Sequence, residues 1–376
     1  MSFESLGLPS SLLKVLAQEN YEKPYPIQEQ AIPEILKAQD VLGIAQTGSG
    51  KTASYVLPIL TRLKGLDGPK DRKPDVLVLV PTRELAEQVK EVFITFARGF
   101  DYKVKTMAIY GGVSINPQMK ALFGVNVIVA TPGRLLDLID SNAVQLDQVQ
   151  TLILDEADKL LNMGFKDEMA RIFGLLPSKR QNLLFSATLS EKLDGLNQVL
   201  LNDPVLVKVA TDEWSIDQIK QVSYSISEEK KGPFLRHLIK SQDMQQVLVF
   251  TASTYKADNV ADKLRKNGID ARAIHGKKNQ NSRNQALKDF KEGRIRVLVT
   301  TDLLARGIDI EFLPFVINYE LPRSPKDYVH RIGRTGRAAA TGEAISLITP
   351  EDEHHFKIIQ KKMKFQVERI DGEEMV

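Results

Sequence analysis

Short apolar runs rich in β-branched residues recur along the chain and alternate with longer, helix-like stretches. In the first half the runs lie at 41–45, 76–80, 106–110, 127–130, 152–154 and 182–185. Their apolar positions are nearly continuous rather than alternating, as expected of parallel strands buried on both faces. Helix-like segments such as 84–96 and 134–139 lie between them. Such a βαβ series predicts an open α/β sheet covered by helices on both faces. The rhythm breaks at 202–217, around Asp203-Pro204 and the polar Thr211-Asp212-Glu213. It restarts with runs at 247–250, 271–274, 296–299, 315–319 and 344–348. The expected organisation is therefore a domain at 1–206, a linker at 207–217 and a second domain at 218–376. A length of 376 residues also suits two cores better than one.

Each run in the first half is followed by a short polar motif. These motifs are Gln46–Thr52, Pro81–Glu84, Gly111-Gly112, Thr131–Arg134, Asp155–Asp158 and Ser186–Thr188. In the second half, Thr251–Ser253, His275-Gly276, Thr301-Asp302 and Leu321-Pro322 occupy the same kind of position. Ligands of open α/β sheets bind at the carboxyl ends of the strands, so six such motifs predict one functional edge.

Composition narrows the class without naming a substrate. The chain is 43% apolar and 26% charged, as in ordinary globular proteins. No apolar run approaches the ~18–20 residues that span a bilayer, and the start Met1-Ser2-Phe3-Glu4 lacks a signal-peptide pattern. With no cysteine, disulfides and thiolate metal sites are excluded. His354 and His355 are adjacent and so do not share a helix face. A cytoplasmic, reducing setting is expected. Net charge is +3, unevenly divided: 22 Lys/Arg against 24 Asp/Glu up to residue 206, then 29 against 24. That imbalance is too small to establish a nucleic-acid partner, which needs a local basic stripe.

The strongest chemistry lies in two motifs. In Ala45-Gln46-Thr47-Gly48-Ser49-Gly50-Lys51-Thr52, the glycines let backbone N–H groups wrap around phosphates. Lys51 supplies positive charge to the β/γ-phosphates, and Thr52 offers a hydroxyl to Mg²⁺. The general phosphate-loop pattern has Gly where this chain has Ala45. In Asp155-Glu156-Ala157-Asp158, at the end of the run 152–154, Asp155 can hold Mg²⁺, partly through water. Glu156 can polarise the attacking water. Together they predict hydrolysis of a Mg-nucleotide.

With these motifs in this order, the chain resembles the DEAD-box ATP-dependent RNA helicases of helicase superfamily 2, from Phe3 to about residue 350. Gln46–Thr52 resembles motif I, Pro81-Thr82-Arg83-Glu84-Leu85-Ala86 motif Ia and Thr131-Pro132-Gly133-Arg134 motif Ib. Asp155–Asp158 resembles motif II and Ser186-Ala187-Thr188 motif III. Asp302 with Ala305-Arg306-Gly307-Ile308-Asp309 resembles motif V, and His330-Arg331-Ile332-Gly333-Arg334-Thr335-Gly336-Arg337 motif VI. Tyr21-Glu22-Lys23-Pro24-Tyr25-Pro26-Ile27-Gln28 resembles the Q motif, with Tyr25 where the family usually has Thr. Any one triplet is weak; the ordered set is specific. The bacterial RhlE-like group is the branch expected.

The resemblance implies two RecA-like domains in tandem, each a mostly parallel sheet with helices on both faces, joined by a short linker. It implies ATP and Mg²⁺ as ligands, with Gln28 on the adenine edge, Phe3 stacked on the ring, Tyr21 beside them and Asp302 on the ribose side. Gln46, Thr47, Gly48, Ser49, Gly50, Lys51 and Thr52 form the phosphate loop. Arg334 and Arg337 are the implied arginine fingers, a role worth ~10³–10⁵ in rate. Being in the other half, they imply that the lobes close to complete the site. Asp158, Ser186, Thr188 and His330 are implied to couple nucleotide state to RNA. The implied RNA path comprises Arg83, Gly111, Gly112, Thr131, Gly133, Arg134, Gln280, Arg283 and Thr301. These types suit phosphate and sugar contacts, which position a strand without reading sequence. The expected activity is RNA-stimulated ATP hydrolysis with local unwinding of short duplexes by a monomer. The alternatives are an ATP-gated RNA clamp whose unwinding is incidental and a DNA helicase of the same superfamily. Many relatives carry a C-terminal extension that selects the RNA; none is recognised before Val376.

Overall fold

The computed structural model describes residues 2–46, 48–63, 71–189, 195, 200–209, 219–302, 313–335 and 342–375. The chain divides into two compact units, Met1–Thr211 and Asp212–Val376. In the first, strands β1 (Val41–Ile44), β2 (Val76–Leu79), β3 (Thr106–Ile109), β4 (Val127–Ala130), β5 (Thr151–Leu154), β6 (Gln181–Ser186) and β7 (Val205–Lys208) form one sheet. Their order is β3-β4-β2-β5-β6-β1-β7, and every neighbouring pair is parallel. In the second, β8 (Lys220–Ser225), β9 (Val247–Phe250), β10 (Ala271–Ile274), β11 (Val297–Thr300), β12 (Phe315–Asn318), β13 (Glu343–Ile348) and β14 (Glu368–Asp371) form another parallel sheet. Its order, β10-β11-β9-β12-β13-β8-β14, repeats that of the first strand for strand. The shared rhythm of the two halves therefore reflects a shared topology without an evident sequence repeat.

The continuous apolar runs have a simple cause. Val76 and Val78 point into one core, with Leu12, Ile27, Tyr55 and Phe93 from the helices Ser10–Gln18, Pro26–Leu36, Lys51–Arg62 and Arg83–Ala97. Leu77 and Leu79 point into another, with Leu135, Leu160 and Ile172 from the helices Pro132–Asp140, Ala157–Asn162 and Lys166–Gly174. Successive side chains alternate faces, and both faces are covered by helices, so both must be apolar. Each large apolar side chain fully buried this way contributes roughly 1.5–3 kcal/mol.

Three strands lack this signature and were not expected: β7, β8 and β14. Strands β7 and β14 are sheet edges, and β7 buries only Val207 among its four residues. In β14 no residue is fully buried. Strand β8 buries Gln221 and Ser223, and the Ser223 hydroxyl donates 3.0 Å to the carbonyl of Glu368 on β14. Val207 and Lys208, expected in the linker, belong to β7. Val209 follows the strand, and 210–217 lies outside the described residues.

Buried polar residues fix the base of the first sheet. Asp40, just ahead of β1, accepts from the Asn182 backbone at 2.7 Å, the Asn182 side chain at 3.2 Å and the Asn202 backbone at 2.9 Å. The Gln181 amide donates to the carbonyls of Ile35 at 3.2 Å and Gln39 at 2.7 Å. These contacts set β1 beside β6, so that Ile44 faces Ser186 across the ladder at the opposite end. Asp40→Ala removes the acceptor of the buried Asn182 N–H and side-chain amide and of the part-buried Asn202 N–H. It is expected to lower stability by roughly 2–4 kcal/mol, since each unsatisfied buried donor costs about 1–3 kcal/mol. Urea unfolding followed by circular dichroism measures this; an unshifted first transition would show the carboxylate to be dispensable.

Candidate functional site

The register of the first sheet brings its strand ends together. Ile44 pairs with Ser186, Leu79 with Leu154, and Leu79 also with Ala130. The motifs after β1, β2, β4, β5 and β6 therefore emerge on one edge.

After β1 the chain passes through Gln46, Gly48, Ser49 and Gly50 into the helix Lys51–Arg62; Thr47 lies outside the described residues. Gly48 and Gly50 have φ of 78° and 86°, a left-handed conformation that glycine adopts without steric cost. The Ser49 hydroxyl donates 2.7 Å to the Gln46 carbonyl, closing the turn. Lys51 is buried, and its ammonium donates 2.7 Å to the Ala45 carbonyl. Burial pushes its pKa down, while Asp155, Glu156 and Asp158 pull it back up. One turn into the helix, beyond the half-buried Thr52, the Tyr55 hydroxyl donates 2.8 Å to Asp155 Oδ2.

Asp155 is also buried, which raises its pKa; the Lys51 charge counters that rise. Its Oδ1 accepts 2.9 Å from the backbone of Glu156. Glu156 stands at φ 51°, ψ 47°, an unusual conformation for a side chain with a Cβ, and starts the helix Ala157–Asn162. Its Oε1 pairs with Lys159 at 2.6 Å. Glu156 Oε2 and Asp158 Oδ1 are buried and receive no hydrogen bond among the described residues. The Thr188 hydroxyl reaches Asp158 Oδ2 at 3.4 Å, and Ser186 Oγ donates 2.9 Å to the Thr188 carbonyl. The motifs after β5 and β6 are thus joined, as the coupling role would need.

This donor set fits a Mg-nucleotide. One buried ammonium follows a glycine turn open to phosphates, and a buried carboxylate faces it. Two further carboxylate oxygens carry unused acceptor capacity.

The residues expected on the adenine side are engaged with the protein itself. Gln28 is fully buried, and both ends of its amide are engaged. Its Oε1 accepts from the Tyr25 backbone at 2.9 Å, and its Nε2 donates to the Gly50 carbonyl at 3.1 Å. Phe3, expected to stack on adenine, is 5% exposed and belongs to the core. It meets Tyr21 edge-on at 6.4 Å between centroids, and Tyr21 meets Phe96 at 5.4 Å. Both aromatics anchor the N-terminal segment.

The expected RNA-path residues of this unit gather beyond β2, β3 and β4. Thr82 caps the helix Arg83–Ala97 through the Leu85 backbone at 3.2 Å. The Arg83 guanidinium packs onto Gly112, where any Cβ would collide with it, and Gly112 has φ of 78°. Gln118 holds the Tyr110 backbone by both N–H and C=O, each at 3.2 Å. Arg134 donates 3.0 Å to the Val113 carbonyl and 3.2 Å to Asp137, while its Nη1 is buried without a partner. Thr131 sits at the N-cap of the helix Pro132–Asp140, and the Cα of Gly133 faces open space. Gly111 lies beside Arg83, 3.9 Å from the point a Cβ would occupy.

In the second unit, Gln280 and Arg283 are buried on the first turn of the helix Gln280–Lys291 and bonded to each other. Thr301 and Asp302 follow β11. The organising residue here was not anticipated: Arg331, 2% exposed. Its guanidinium grips both oxygens of Asp302 at 2.5 and 2.8 Å. It also donates to Asn318 Oδ1 at 3.0 Å and to the Glu320 carbonyl at 2.6 Å, and lies 4.8 Å from the centroid of Phe250. Asp302, expected on the ribose side, ties the end of β11 to Arg331. The available signal was periodicity: Tyr328, Arg331 and Ile332 form the buried face of the helix Pro325–Ile332. His330 lies on this helix and Arg334 just beyond it, Arg334 being largely buried. Arg337 and residues 305–309 lie outside the described residues.

Residues 25–196 match the DEAD/DEAH box helicase family, and 230–339 match the helicase conserved C-terminal domain. The chain is 40% identical over 371 residues to the DEAD-box ATP-dependent RNA helicase CshA of Bacillus subtilis, covering 98% of this chain and 74% of that protein. It is 39% identical over 370 residues to CshA of Geobacillus kaustophilus, covering 98% and 78%. Among solved structures, S. cerevisiae Dbp5 bound to RNA and ADP BeF3 matches with a TM-score of 0.85 and 33% identity, covering 100% of this chain and 96% of that one. A DEAD box protein from Methanococcus jannaschii matches with a TM-score of 0.55 and 35% identity, covering 99% of each. The curated relatives named here are CshA proteins and lend no support to the RhlE-like branch. A phosphate loop facing Asp155 and Glu156, two sheets of one RecA-like topology and these relationships converge: the chain belongs to the DEAD-box ATP-dependent RNA helicases.

Proposed function

We propose that ATP is hydrolysed at the joined ends of β1, β5 and β6, and that hydrolysis drives local separation of short RNA duplexes. The observation that carries this reading is the buried Lys51 ammonium, with Asp155, Glu156 and Asp158 acting on its charge and the Glu156 Oε2 left free to accept a proton. Lys51 and the loop amides bind the β/γ-phosphates; the Lys51 ammonium exchanges the Ala45 carbonyl for phosphate oxygens. Thr52 and Asp155 would hold Mg²⁺, partly through water, and the ion would neutralise charge on the phosphates. Tyr55 orients Asp155. Glu156 positions the attacking water and takes its proton, while Lys159 holds the other carboxylate oxygen in place. Arg334 and Arg337 stabilise charge on the transferred phosphoryl group during turnover. Thr188, on Asp158, passes the state of that site towards Ser186 and the RNA side.

RNA binds along Arg83, Gly112, Thr131 and Arg134 of the first unit and Gln280, Arg283 and Thr301 of the second. Family membership and the Dbp5 relative solved with RNA support an RNA-binding role, and the residue types suit phosphate and sugar contacts. Backbone contacts of this kind make binding salt-dependent, and 2′-hydroxyl contacts favour RNA over DNA. No helix of the described residues is long and apolar enough to cross a membrane. We take the enzyme to act as a cytoplasmic monomer.

The deciding experiment is steady-state ATP hydrolysis with and without single-stranded RNA, using matched DNA as control. Stimulation by RNA alone is expected. In Lys51→Ala, kcat/KM should fall at least about a hundredfold, the scale of losing one preorganised electrostatic group; an active, folded variant would refute the site. Strand separation of a short blunt duplex distinguishes the helicase from a clamp, which would release RNA slowly without separating strands.

Glu156→Gln keeps the shape of the side chain but not its basicity. Turnover is expected to drop by about 10²–10⁴, the usual contribution of a general base, while ATP binding and ATP-dependent retention of RNA persist. Wild-type turnover in this variant would send the search to another base.

Gly112→Ala places a methyl group where the Arg83 guanidinium sits. The RNA concentration for half-maximal stimulation is expected to rise about tenfold, equivalent to ~1.4 kcal/mol, with RNA-free hydrolysis unchanged. Equal losses in both would show that Gly112 serves the fold and not RNA.

A further inference from the structure

Tyr25 is 46% exposed, yet its backbone is fixed on both sides. Pro24 and Pro26 flank it, and proline restricts both its own backbone and that of the residue before it. Its N–H donates to Gln28 Oε1 at 2.9 Å, and its carbonyl accepts from the Gln28 and Glu29 backbones at 2.8 and 3.0 Å. The ring lies against Gly50: its Cδ2 is 2.9 Å from the point a Cβ on Gly50 would occupy. The Gln28 amide approaches the same point and hydrogen-bonds the Gly50 carbonyl at 3.1 Å. Gly50 is thus gripped twice, by a hydrogen bond on its carbonyl and by an aromatic edge over its Cα. It is left-handed and directly precedes Lys51.

We propose that Tyr25 is a positioning residue for the phosphate loop, its ring holding Gly50 in the conformation that aims the loop amides and Lys51 at phosphates. The inference rests on the nucleotide site proposed above and adds a residue to it. Glycine loses the most conformational freedom on ordering, so an unsupported loop must be ordered out of binding energy. A tyrosine ring supplies support with only two side-chain torsions to fix. The contact is made by a ring carbon, so phenylalanine keeps it, whereas alanine and threonine do not. The ring acts on the phosphate side, which separates this role from stacking on the base.

The test measures ADP and magnesium pyrophosphate by displacement of a fluorescent ADP analogue in the wild type, Tyr25→Phe and Tyr25→Ala. Tyr25→Ala is expected to weaken both ligands about three- to tenfold, the effect of losing preorganisation. KM for ATP should rise by a similar factor with kcat within about twofold, as for lost binding common to ground and transition states. Tyr25→Phe should match the wild type. Unchanged affinity in Tyr25→Ala overturns the proposal. So does a loss for ADP with none for pyrophosphate, which would place the ring on the base. Nucleotide-free unfolding midpoints identify a misfolded variant, in which case Tyr25→Thr replaces alanine. If the wild type itself bound neither ligand, the nucleotide-site assignment would fail instead.

Discussion

A parallel sheet covered on both faces cannot carry unpaired charges along its strands, and this constraint shapes the rest of the molecule. Strands β1, β2, β4 and β5 are buried at all four positions. An unpaired charge there would face several kcal/mol of desolvation. The chemistry is therefore displaced to the first residues beyond each strand. There the backbone turns into a helix, its N–H groups are free, and charge can be placed near its own kind of partner. Lys51, Arg83 and Glu156 all occupy such positions, at or just before the start of a helix. Pinning the opposite end through Asp40 and Gln181 sets the register, and the register decides which motifs meet.

The same constraint explains what was legible in the sequence. Eleven of the strands announce themselves by apolar runs, most of them because double-sided burial leaves little choice of residue; the edge strands β3 and β10 are only partly buried but keep enough apolar positions to be recognised. The edge strands β7 and β14 do not, since one flank and part of one face are open: Val205–Lys208 buries a single residue and Glu368–Asp371 none. Strand β8 hides for another reason. Its Gln221 and Ser223 are buried but satisfied by hydrogen bonds, so a polar pattern coexists with an interior position. The site was legible as far as residue type fixes chemistry. Lys51, Asp155 and Glu156 stand out by type after a glycine turn and a buried strand, and the fold brings their charges together. Phe3 and Asp302 were harder, because an aromatic or a carboxylate suits several jobs. Packing, which the sequence does not display, sets Phe3 against the core and pairs Asp302 with Arg331.

Arg331 shows how a binding motif can hide a structural element. It lies in an arginine-rich run whose composition suggests exposed phosphate contacts, yet it is among the largest fully buried side chains. A buried guanidinium is tolerable only when its donors are used, and here Asp302, Asn318 and the Glu320 carbonyl use them. It therefore joins the ends of β11 and β12 to the helix carrying His330, and it fixes where Arg334 leaves that helix. In this part of the second unit a rigid ion pair substitutes for the apolar packing that positions the motifs of the first.

The Gln28 amide raises a question of exchange. Its carbonyl oxygen and its amide nitrogen already serve the Tyr25 backbone and the Gly50 carbonyl, with no water needed to satisfy them. An adenine that took this amide would replace hydrogen bonds already made, not add to a free group. Such an exchange changes the bond count little, so its net free energy is small beside that of a new bond. Base preference would then come less from attraction to adenine than from rejection of bases that cannot complete the exchange and would leave a buried amide half-satisfied. Leaving a buried polar group unpaired costs more than pairing it gains, so rejection outweighs attraction here. Because the same amide holds Gly50, a base taken by Gln28 would share one side chain with the set of the phosphate loop.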